Sequence, residues 1–165
     1  MNYFIADTHF NHANIIKYCH RPFVHVEEMQ ETIIRNWNHV VKPTDYVFHL
    51  GDFALKCTPE YKRWLWARLN GDKILVIGNH DIRRVGHWNK LGFECIKGTL
   101  NYKNWVLSHQ PIPFPDRPNV HGHTHGNLHR GEAGHGIHVC VSVETTNYFP
   151  VSEEWVQKQI HEKGD

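Results

Sequence analysis

Five short clusters of polar residues follow apolar segments of this chain, and they carry the side chains that bind divalent metal ions. The clusters are Asp7-Thr8-His9, Gly51-Asp52, Gly78-Asn79-His80-Asp81, Ser108-His109 and Gly122-His123-Thr124-His125. Carboxylate, imidazole and carboxamide groups are ligands of borderline and hard divalent metals. Two such ions repel each other, and a carboxylate shared between them offsets part of that repulsion. The clusters therefore predict a site for two metals, and the chemistry such a site favours is hydrolysis of a phosphate ester.

The elements that must position these clusters can be recognised in the first half of the chain. Apolar runs at 3–6, 45–50 and 73–77 predict strands that end at the first three clusters. Helical periodicity over 26–41 predicts an amphipathic helix. A second helix is expected after Thr58, which is an N-cap residue followed by proline.

The second half of the chain has a different pattern. A shorter helix is predicted at 82–91, and after it come three short apolar runs with tight connections, which favour a meander. These runs lie at 93–96, 99–102 and 104–107. Four prolines make 110–119 an irregular loop. A final strand at 137–141 and a C-terminal helix at 151–160, with Ser152 as N-cap, complete the prediction.

This order of elements predicts an α/β fold, a four-layer αββα sandwich of two mixed sheets flanked by helices. The whole chain, 1–165, is interpreted as one domain. Open sheets bind ligands beyond the carboxyl ends of their strands, which is where the polar clusters fall. The metal site is therefore expected at that edge of the sheets.

The bulk composition limits the functional classes. With 18 basic and 17 acidic residues the formal charge is +1, which gives no support to binding of duplex nucleic acid or of an anionic membrane. The four cysteines lie far apart without a Cys-x-x-Cys pair, so reduced thiols are expected. No segment approaches the ~18 apolar residues that span a bilayer. We expect a cytoplasmic protein.

The ordered clusters resemble those of the calcineurin-like metallophosphoesterases. The series Asp-x-His, Gly-Asp, Gly-Asn-His-Asp, His and Gly-His-x-His is present in order between Asp7 and His125. The beginning of the chain is similar to a small single-domain bacterial and phage branch of that superfamily; it reads Asp7-Thr8-His9-Phe10-x-His12-x-Asn14-Ile15-Ile16. By this resemblance, the first metal is held by Asp7, His9, Asp52 and His125, and the second by Asp52, Asn79, His109 and His123, so that Asp52 bridges.

The same resemblance implies a mechanism. A hydroxide that bridges the metals attacks the phosphorus, and His80 assists the leaving group. We expect Asp81 to orient the His80 ring; a cap on the helix that follows is the alternative role. Manganese is the first candidate metal through the resemblance, and iron, zinc, nickel and cobalt suit the same ligands.

Further residues near these clusters are candidates for substrate binding. His12, Arg21 and Asn14 lie in the segment after the first cluster, and the guanidinium fork of Arg21 suits a phosphate oxygen. A salt bridge or a solvated position is the competing interpretation for Arg21 and Asn14. His49 lies within a predicted strand and is expected to be a hydrogen-bonded core residue.

The functional hypotheses belong to three classes. A phosphodiesterase acting on a small phosphate ester, such as a nucleotide or cyclic nucleotide, is preferred over a phosphomonoesterase, because the short chain leaves the cleft open. A non-catalytic metal-binding interaction scaffold is the second class, and the presence of His80 speaks against it. A nuclease component is the third. The natural substrate and the oligomeric state are left open by the sequence.

Overall fold

The first β-sheet is assembled from the apolar runs of the first half of the chain. In the computed structural model, which describes residues 1–81, 85–127 and 136–164, its strands run in the order β4-β3-β2-β1-β9. They are β1 (Asn2–Ile5), β2 (Tyr46–His49), β3 (Asp72–Val76), β4 (Glu94–Ile96) and β9 (Val151–Ser152). The strands β1 to β4 pair in parallel, and β9 pairs with β1 in the antiparallel direction.

The second sheet has the order β5-β6-β7-β8 and is also mixed. Its strands are β5 (Thr99–Tyr102), β6 (Trp105–Ser108), β7 (Asn119–His121) and β8 (His138–Cys140). The strands β5 and β6 form an antiparallel hairpin, whereas β6, β7 and β8 pair in parallel. The predicted α/β fold with two mixed sheets is thereby confirmed.

Two local predictions in the second half are wrong. The expected meander is limited to the β5–β6 hairpin, because β4 joins the first sheet and the proline-rich segment after β6 returns the chain for a parallel pairing. The strand at 137–141 is not the last one. Val151, expected in the C-terminal helix, instead pairs with Phe4.

Five helices pack beside the sheets within the described residues. They are α1 (Ala13–Tyr18), α2 (Val26–Val40), α3 (Pro59–Arg68), α4 (Val85–Lys90) and α5 (Glu153–Gly164). The predicted caps are present: the Thr58 hydroxyl accepts from the Tyr61 NH (3.2 Å), and the Ser152 hydroxyl accepts from the Trp155 NH (3.2 Å). Part of the helix predicted at 82–91 lies outside the described residues. None of the described helices has the length and apolar character to cross a membrane.

The apolar residues form two clusters, one on each side of the first sheet. One cluster packs α2, α3 and α4 onto this sheet and includes the fully buried Trp37 and Trp88. The other lies between the sheets, where Phe4 and Phe48 contact Trp105 and Leu107. Because both faces of β1, β2 and β3 are covered, the ends of these strands are held rigidly, and the polar clusters follow there.

Candidate metal centre

The carboxyl ends of strands from both sheets bring the predicted residues together. Asp7, Asp52 and Asn79 follow β1, β2 and β3 of the first sheet, while His109 and His123 follow β6 and β7 of the second. Three groups of side chains in the described residues offer ligand atoms within 4.8 Å of one another. One consists of Cys19, His125 and Glu144, and the other two contain the predicted ligands. The first of these two is Asp7, His9 and His125, and the second is Asp7, Asp52 and His109. The sheets thus assemble Asp and His clusters that are able to bind metal ions.

The first group places two imidazole nitrogens near one carboxylate oxygen of Asp7. Asp7 Oδ2 accepts hydrogen bonds from the Ser142 hydroxyl (2.7 Å) and the His123 NH (2.8 Å). Its other oxygen, Oδ1, lies 3.9 Å from His9 Nε2 and 3.8 Å from His125 Nε2. Among the described residues, Asp7 Oδ1 and His9 Nε2 are buried without a hydrogen-bond partner. Buried polar atoms without partners are costly, and a cation among them would satisfy both.

Asp52 lies between the two groups. Its Oδ1 accepts from the His80 NH (2.8 Å), whereas its Oδ2 lies 3.5 Å from His9 Nε2 and 3.5 Å from His109 Nε2. One carboxylate oxygen therefore faces an imidazole nitrogen of each group. His109 Nε2 is in turn 2.7 Å from Asn79 Oδ1.

His123 extends the second group toward solvent. Its Nδ1 lies 3.3 Å from His109 Nε2, and its ring is half-buried. The donor set of oxygen and imidazole nitrogen atoms fits divalent ions such as Mn, Fe, Zn, Co and Ni. It does not distinguish among them.

The backbone at this site is strained. Asp7, His9, Asp52, His123 and His125 all have positive φ, between 48° and 69°. Non-glycine residues adopt this left-handed region at a cost of roughly 1–3 kcal/mol each and usually where function requires it. The positive φ turns each side chain from the strand end toward the common centre.

The lack of a Cβ at three glycines provides room for these side chains. A Cβ at Gly51 would lie 2.5 Å from His109 Nδ1, and one at Gly122 would lie 2.6 Å from Asp7 Oδ2. A Cβ at Gly78 would overlap Asp52 Oδ1. The glycine of each of the three motifs is thus needed for the close approach of a carboxylate or an imidazole.

Burial lowers the pKa values of three imidazoles at the site, which favours their neutral form. It lowers the pKa of His9 well below its usual value, with Arg21 as the next cause, and it lowers the pKa values of His12 and His123. A neutral imidazole has the lone pair that binds a metal. For His125 burial also lowers the pKa, but Cys19, Glu144 and Asp7 outweigh it and raise that pKa to about 10. The carboxylates around His125 therefore favour a positive charge at this point.

An ion pair between Arg21 and Glu144 supports the first group through His125. Glu144 Oε1 lies 2.8 Å from His125 Nδ1 and 2.7 Å from Arg21 Nη2. Arg21 also donates to the backbone oxygens of Asp7 (2.7 Å) and Thr8 (3.1 Å). The expected contact of Arg21 with a phosphate is not supported, because its buried guanidinium is committed to these partners. Glu144 was missed by sequence reasoning, since it belongs to no motif and lies 19 residues from His125.

Asp81 has a different environment from the one expected. Its Oδ2 accepts from the NH groups of Asp52 (2.7 Å) and Gly78 (2.9 Å), and its Oδ1 accepts from the NH of Phe53 (3.1 Å). Burial raises its pKa to about 6. The predicted pairing with the His80 ring is therefore replaced by a backbone role that fixes the Asp52 turn. The alternative role as a helix cap concerns residues outside the described ranges.

His80 and His12 lie beside the first group. The His80 ring centroid is 5.3 Å from that of His9 and 6.1 Å from that of His12. His80 is half-buried, whereas His12 is buried, with its Nδ1 3.2 Å from His9 Nδ1. Asn14 is exposed on α1 and lines a separate groove with Lys17 and His25.

His49, which the sequence predicts to be a core residue, has a structural role. His49 is buried, as predicted, and its Nε2 lies 3.0 Å from the Thr8 hydroxyl. This contact ties the end of β2 to the first polar cluster. His49 thereby positions the neighbouring ligands without facing the centre between them.

Fold and site together define an α/β protein of two mixed sheets with Asp and His clusters, able to bind metal ions, at the strand ends. The chain belongs to the family of the uncharacterized protein MJ1445 of Methanocaldococcus jannaschii. The two are 43% identical over 176 aligned residues, which cover 98% of this chain and 92% of MJ1445. No family model matches the sequence, so the resemblance to calcineurin-like metallophosphoesterases stays a prediction.

Solved structures that resemble this one include a protein of unknown function and a nuclease. The protein of unknown function AQ665 from Aquifex aeolicus has a TM-score of 0.74 and 30% identity, covering 96% of this chain and 98% of AQ665. Nuclease MPE of Pseudomonas putida has a TM-score of 0.52 and 19% identity, covering 74% of this chain and 60% of the nuclease. At 19% identity the second likeness concerns the fold alone.

Proposed function

We propose that this protein is a metal-dependent phosphodiesterase with two divalent ions at the strand ends. The observation that carries the proposal is the position of Asp52 Oδ2, 3.5 Å from an imidazole nitrogen of His9 and 3.5 Å from one of His109. A carboxylate in this position suits the bridge between two cations. A carboxylate oxygen shared by two cations, one beside each imidazole, would reduce the repulsion between them.

The ligands would be divided between the two ions as the motif order implies. Asp7, His9, Asp52 and His125 would hold the first, and Asp52, Asn79, His109 and His123 the second. Bound metals would supply an acidified water as nucleophile and positive charge beside the phosphate oxygens. Manganese is our first choice of metal.

The protein's own contribution to the reaction comes from His80. Its ring is half-buried beside His9 and His12, where it can reach the oxygen of a departing group. We assign to it the donation of a proton to that oxygen. The adjacent His12 would hold the phosphate by a hydrogen bond.

The accessibility of the site favours diesters. Asn79 is exposed, and His80, His123 and His125 are half-buried, so a phosphate with two organic groups can approach from solvent. The fold shared with a nuclease agrees with this preference. A phosphomonoesterase of the same fold is the alternative enzyme, and a metal-binding scaffold is the alternative without activity.

Hydrolysis assays on metal-stripped protein test the proposal. Bis-p-nitrophenyl phosphate and p-nitrophenyl phosphate are assayed with and without Mn²⁺, beside the variant Asp52→Asn. We expect metal-dependent turnover, faster for the diester, and a loss of at least about a hundredfold in the variant. Faster turnover of the monoester would favour the phosphomonoesterase. Metal binding without turnover of either ester, under any of the candidate metals, would favour the scaffold.

The role of His80 is tested by the leaving group. His80→Ala should slow a diester with a poor leaving group by about 10²–10⁴-fold and a p-nitrophenyl ester much less. Metal content, measured in parallel, should be that of the unchanged protein. An equal effect on both esters would contradict proton donation by His80.

A further inference from the structure

A cleft of about 450 Å³ adjoins the second group of ligands. Asn79 and His109 form one side of it, so it is continuous with the candidate metal centre. The cleft lies where the end of β3 in the first sheet meets the β4–β5 turn and the end of β6 in the second. An organic group attached to a phosphate bound beside Asn79 and His109 could extend directly into the cleft.

The wall of the cleft is held in place by a buried side chain. Asn119 is fully buried; its Oδ1 accepts from the Ile112 NH (2.8 Å), and its Nδ2 donates to the Ser108 hydroxyl (2.9 Å). Pro111 and Pro113, on either side of Ile112, restrict the backbone further. A wall fixed in this way binds its ligand without a large ordering cost.

The chemistry of the lining indicates what the cleft accepts. Ile77, Pro111, Ile112 and Pro113 provide an apolar surface, and Lys97 from the β4–β5 turn provides a positive charge. Within the described part of the chain, no carboxylate forms an ion pair with Lys97. The volume is within the ~300–1,000 Å³ of small-molecule sites and is far larger than a phosphate group needs.

We infer that this cleft is the subsite for a nucleoside group of the substrate, with Lys97 binding a further phosphate on that nucleoside. The substrate class is then a nucleotide diester whose reacting phosphate lies at the metals. This inference rests on the proposed function, because the cleft is defined relative to the metal ligands. Apolar contact would bind the sugar and base, and the lysine would select for a second anionic group.

Three diesters with the same leaving group provide the test. They are methyl p-nitrophenyl phosphate, thymidine 5′-(p-nitrophenyl phosphate) and the latter with a 3′-phosphate. With Mn²⁺ we expect kcat/KM to be at least about tenfold higher for the thymidine ester than for the methyl ester, and higher again with the 3′-phosphate. Equal leaving groups ensure that the differences report binding of the nucleoside.

Two variants locate the effect in the cleft. Ile112→Trp should reduce the advantage of the thymidine ester to under about threefold, because the indole occupies the subsite. Lys97→Gln should remove the gain from the 3′-phosphate, and because Lys97 is exposed this variant should fold normally. Val24→Trp and Lys90→Gln, at exposed positions outside the cleft, are the matched controls and should leave all three rates unchanged.

The outcomes separate this inference from the proposed function. If all three diesters are hydrolysed at similar kcat/KM, the subsite is wrong while the diesterase stands. The same conclusion follows if the thymidine preference survives Ile112→Trp and the gain from the 3′-phosphate survives Lys97→Gln. If no diester is hydrolysed with any candidate metal, both proposals fail.

Discussion

Glu144 and His125 form a half-buried pair in which Glu144 Oε1 lies 2.8 Å from His125 Nδ1. A hydrogen bond from Nδ1 leaves Nε2 directed at Asp7 Oδ1, 3.8 Å away. Arg21 holds Glu144 and the backbone oxygen of Asp7 together. The tautomer of His125 and the position of Asp7 are therefore set by the same ion pair, which lies behind the candidate metal centre.

Glu144→Gln tests this positioning. The variant should lower the affinity for a divalent metal by about 10–100-fold, because an uncharged amide oxygen is a weaker acceptor for the His125 N–H and for Arg21 than the carboxylate that fixes the ring. Calorimetric titration of metal-stripped protein with Mn²⁺ measures the change. Glu162→Gln, at an exposed position on α5, is the control and should bind the metal as before. Unchanged affinity in Glu144→Gln would contradict a positioning role.

Asp81→Asn should destabilise the fold. The carboxylate accepts three backbone hydrogen bonds, and an amide that presents its NH₂ group to one of these NH donors loses that acceptor. We expect the free energy of unfolding to fall by roughly 1–3 kcal/mol, measured by denaturant titration of the metal-free protein. Asp116→Asn, on an exposed loop, serves as the control. If Asp81 instead oriented His80, stability would stay unchanged, while a diester with a poor leaving group would be hydrolysed more slowly than before and a p-nitrophenyl ester would be affected much less.

Gly78→Ala should disrupt the centre through a single methyl group. The added Cβ would overlap Asp52 Oδ1 and displace the carboxylate that faces both groups. Metal affinity, measured by the same titration, should drop by at least about tenfold. Gly86→Ala is a matched control on α4, where a Cβ meets no atom within 4 Å. It should preserve metal binding and raise stability by roughly 0.5–1 kcal/mol. Equal metal binding by both variants would contradict the packing described at Gly78.

Acid should destabilise the protein through His49. Burial lowers its pKa to about 3, so between pH 6.5 and pH 3 the unfolded chain binds a proton that the folded chain does not. The stabilising contribution is fully present above pH 6.5 and is lost at about 1.4 kcal/mol per pH unit as the pH falls.

His49→Gln isolates this effect. Below pH 6 the free energy of unfolding of the metal-free variant should fall less steeply than that of the unchanged protein. The difference in slope should be about 1.4 kcal/mol per pH unit, the value for one proton. The exposed His39→Gln should keep the original slope. Parallel slopes in His49→Gln and the unchanged protein would show that His49 is protonated in the folded state.

The fold class could be predicted from the sequence because periodicity reports burial directly. The strands around Phe4, Phe48 and Leu75 are buried on both faces and therefore appear as continuous apolar runs. The antiparallel pairing of β9 with β1, at the edge of the first sheet, could not be recognised in this way. Val151 is both a strand residue that pairs with Phe4 and the neighbour of a helix cap, and only the proximity of β1 selects the strand.

The candidate ligands were also found by sequence, since each follows a strand and the ends of neighbouring strands meet. The supporting residues were not. For Arg21 a substrate contact and a salt bridge were both open, and the structure has the salt bridge, with Glu144, together with a hydrogen bond to the Asp7 backbone. Asp81 was expected to orient His80, whereas its carboxylate accepts from backbone NH groups such as that of Asp52. A side chain's type shows what it can bind, but not which of several nearby partners it meets.

The sequence by itself determined the two-sheet α/β class and the residue types that converge at the strand ends, because alternation, apolar runs and caps are local properties. Only the tertiary structure decided that Glu144 supports His125, that Asp81 holds the Asp52 turn, and that a cleft opens beside Asn79. These relationships join residues 19 to 29 positions apart or lie between separate sheets. They depend on how the sheets pack, which no local pattern records.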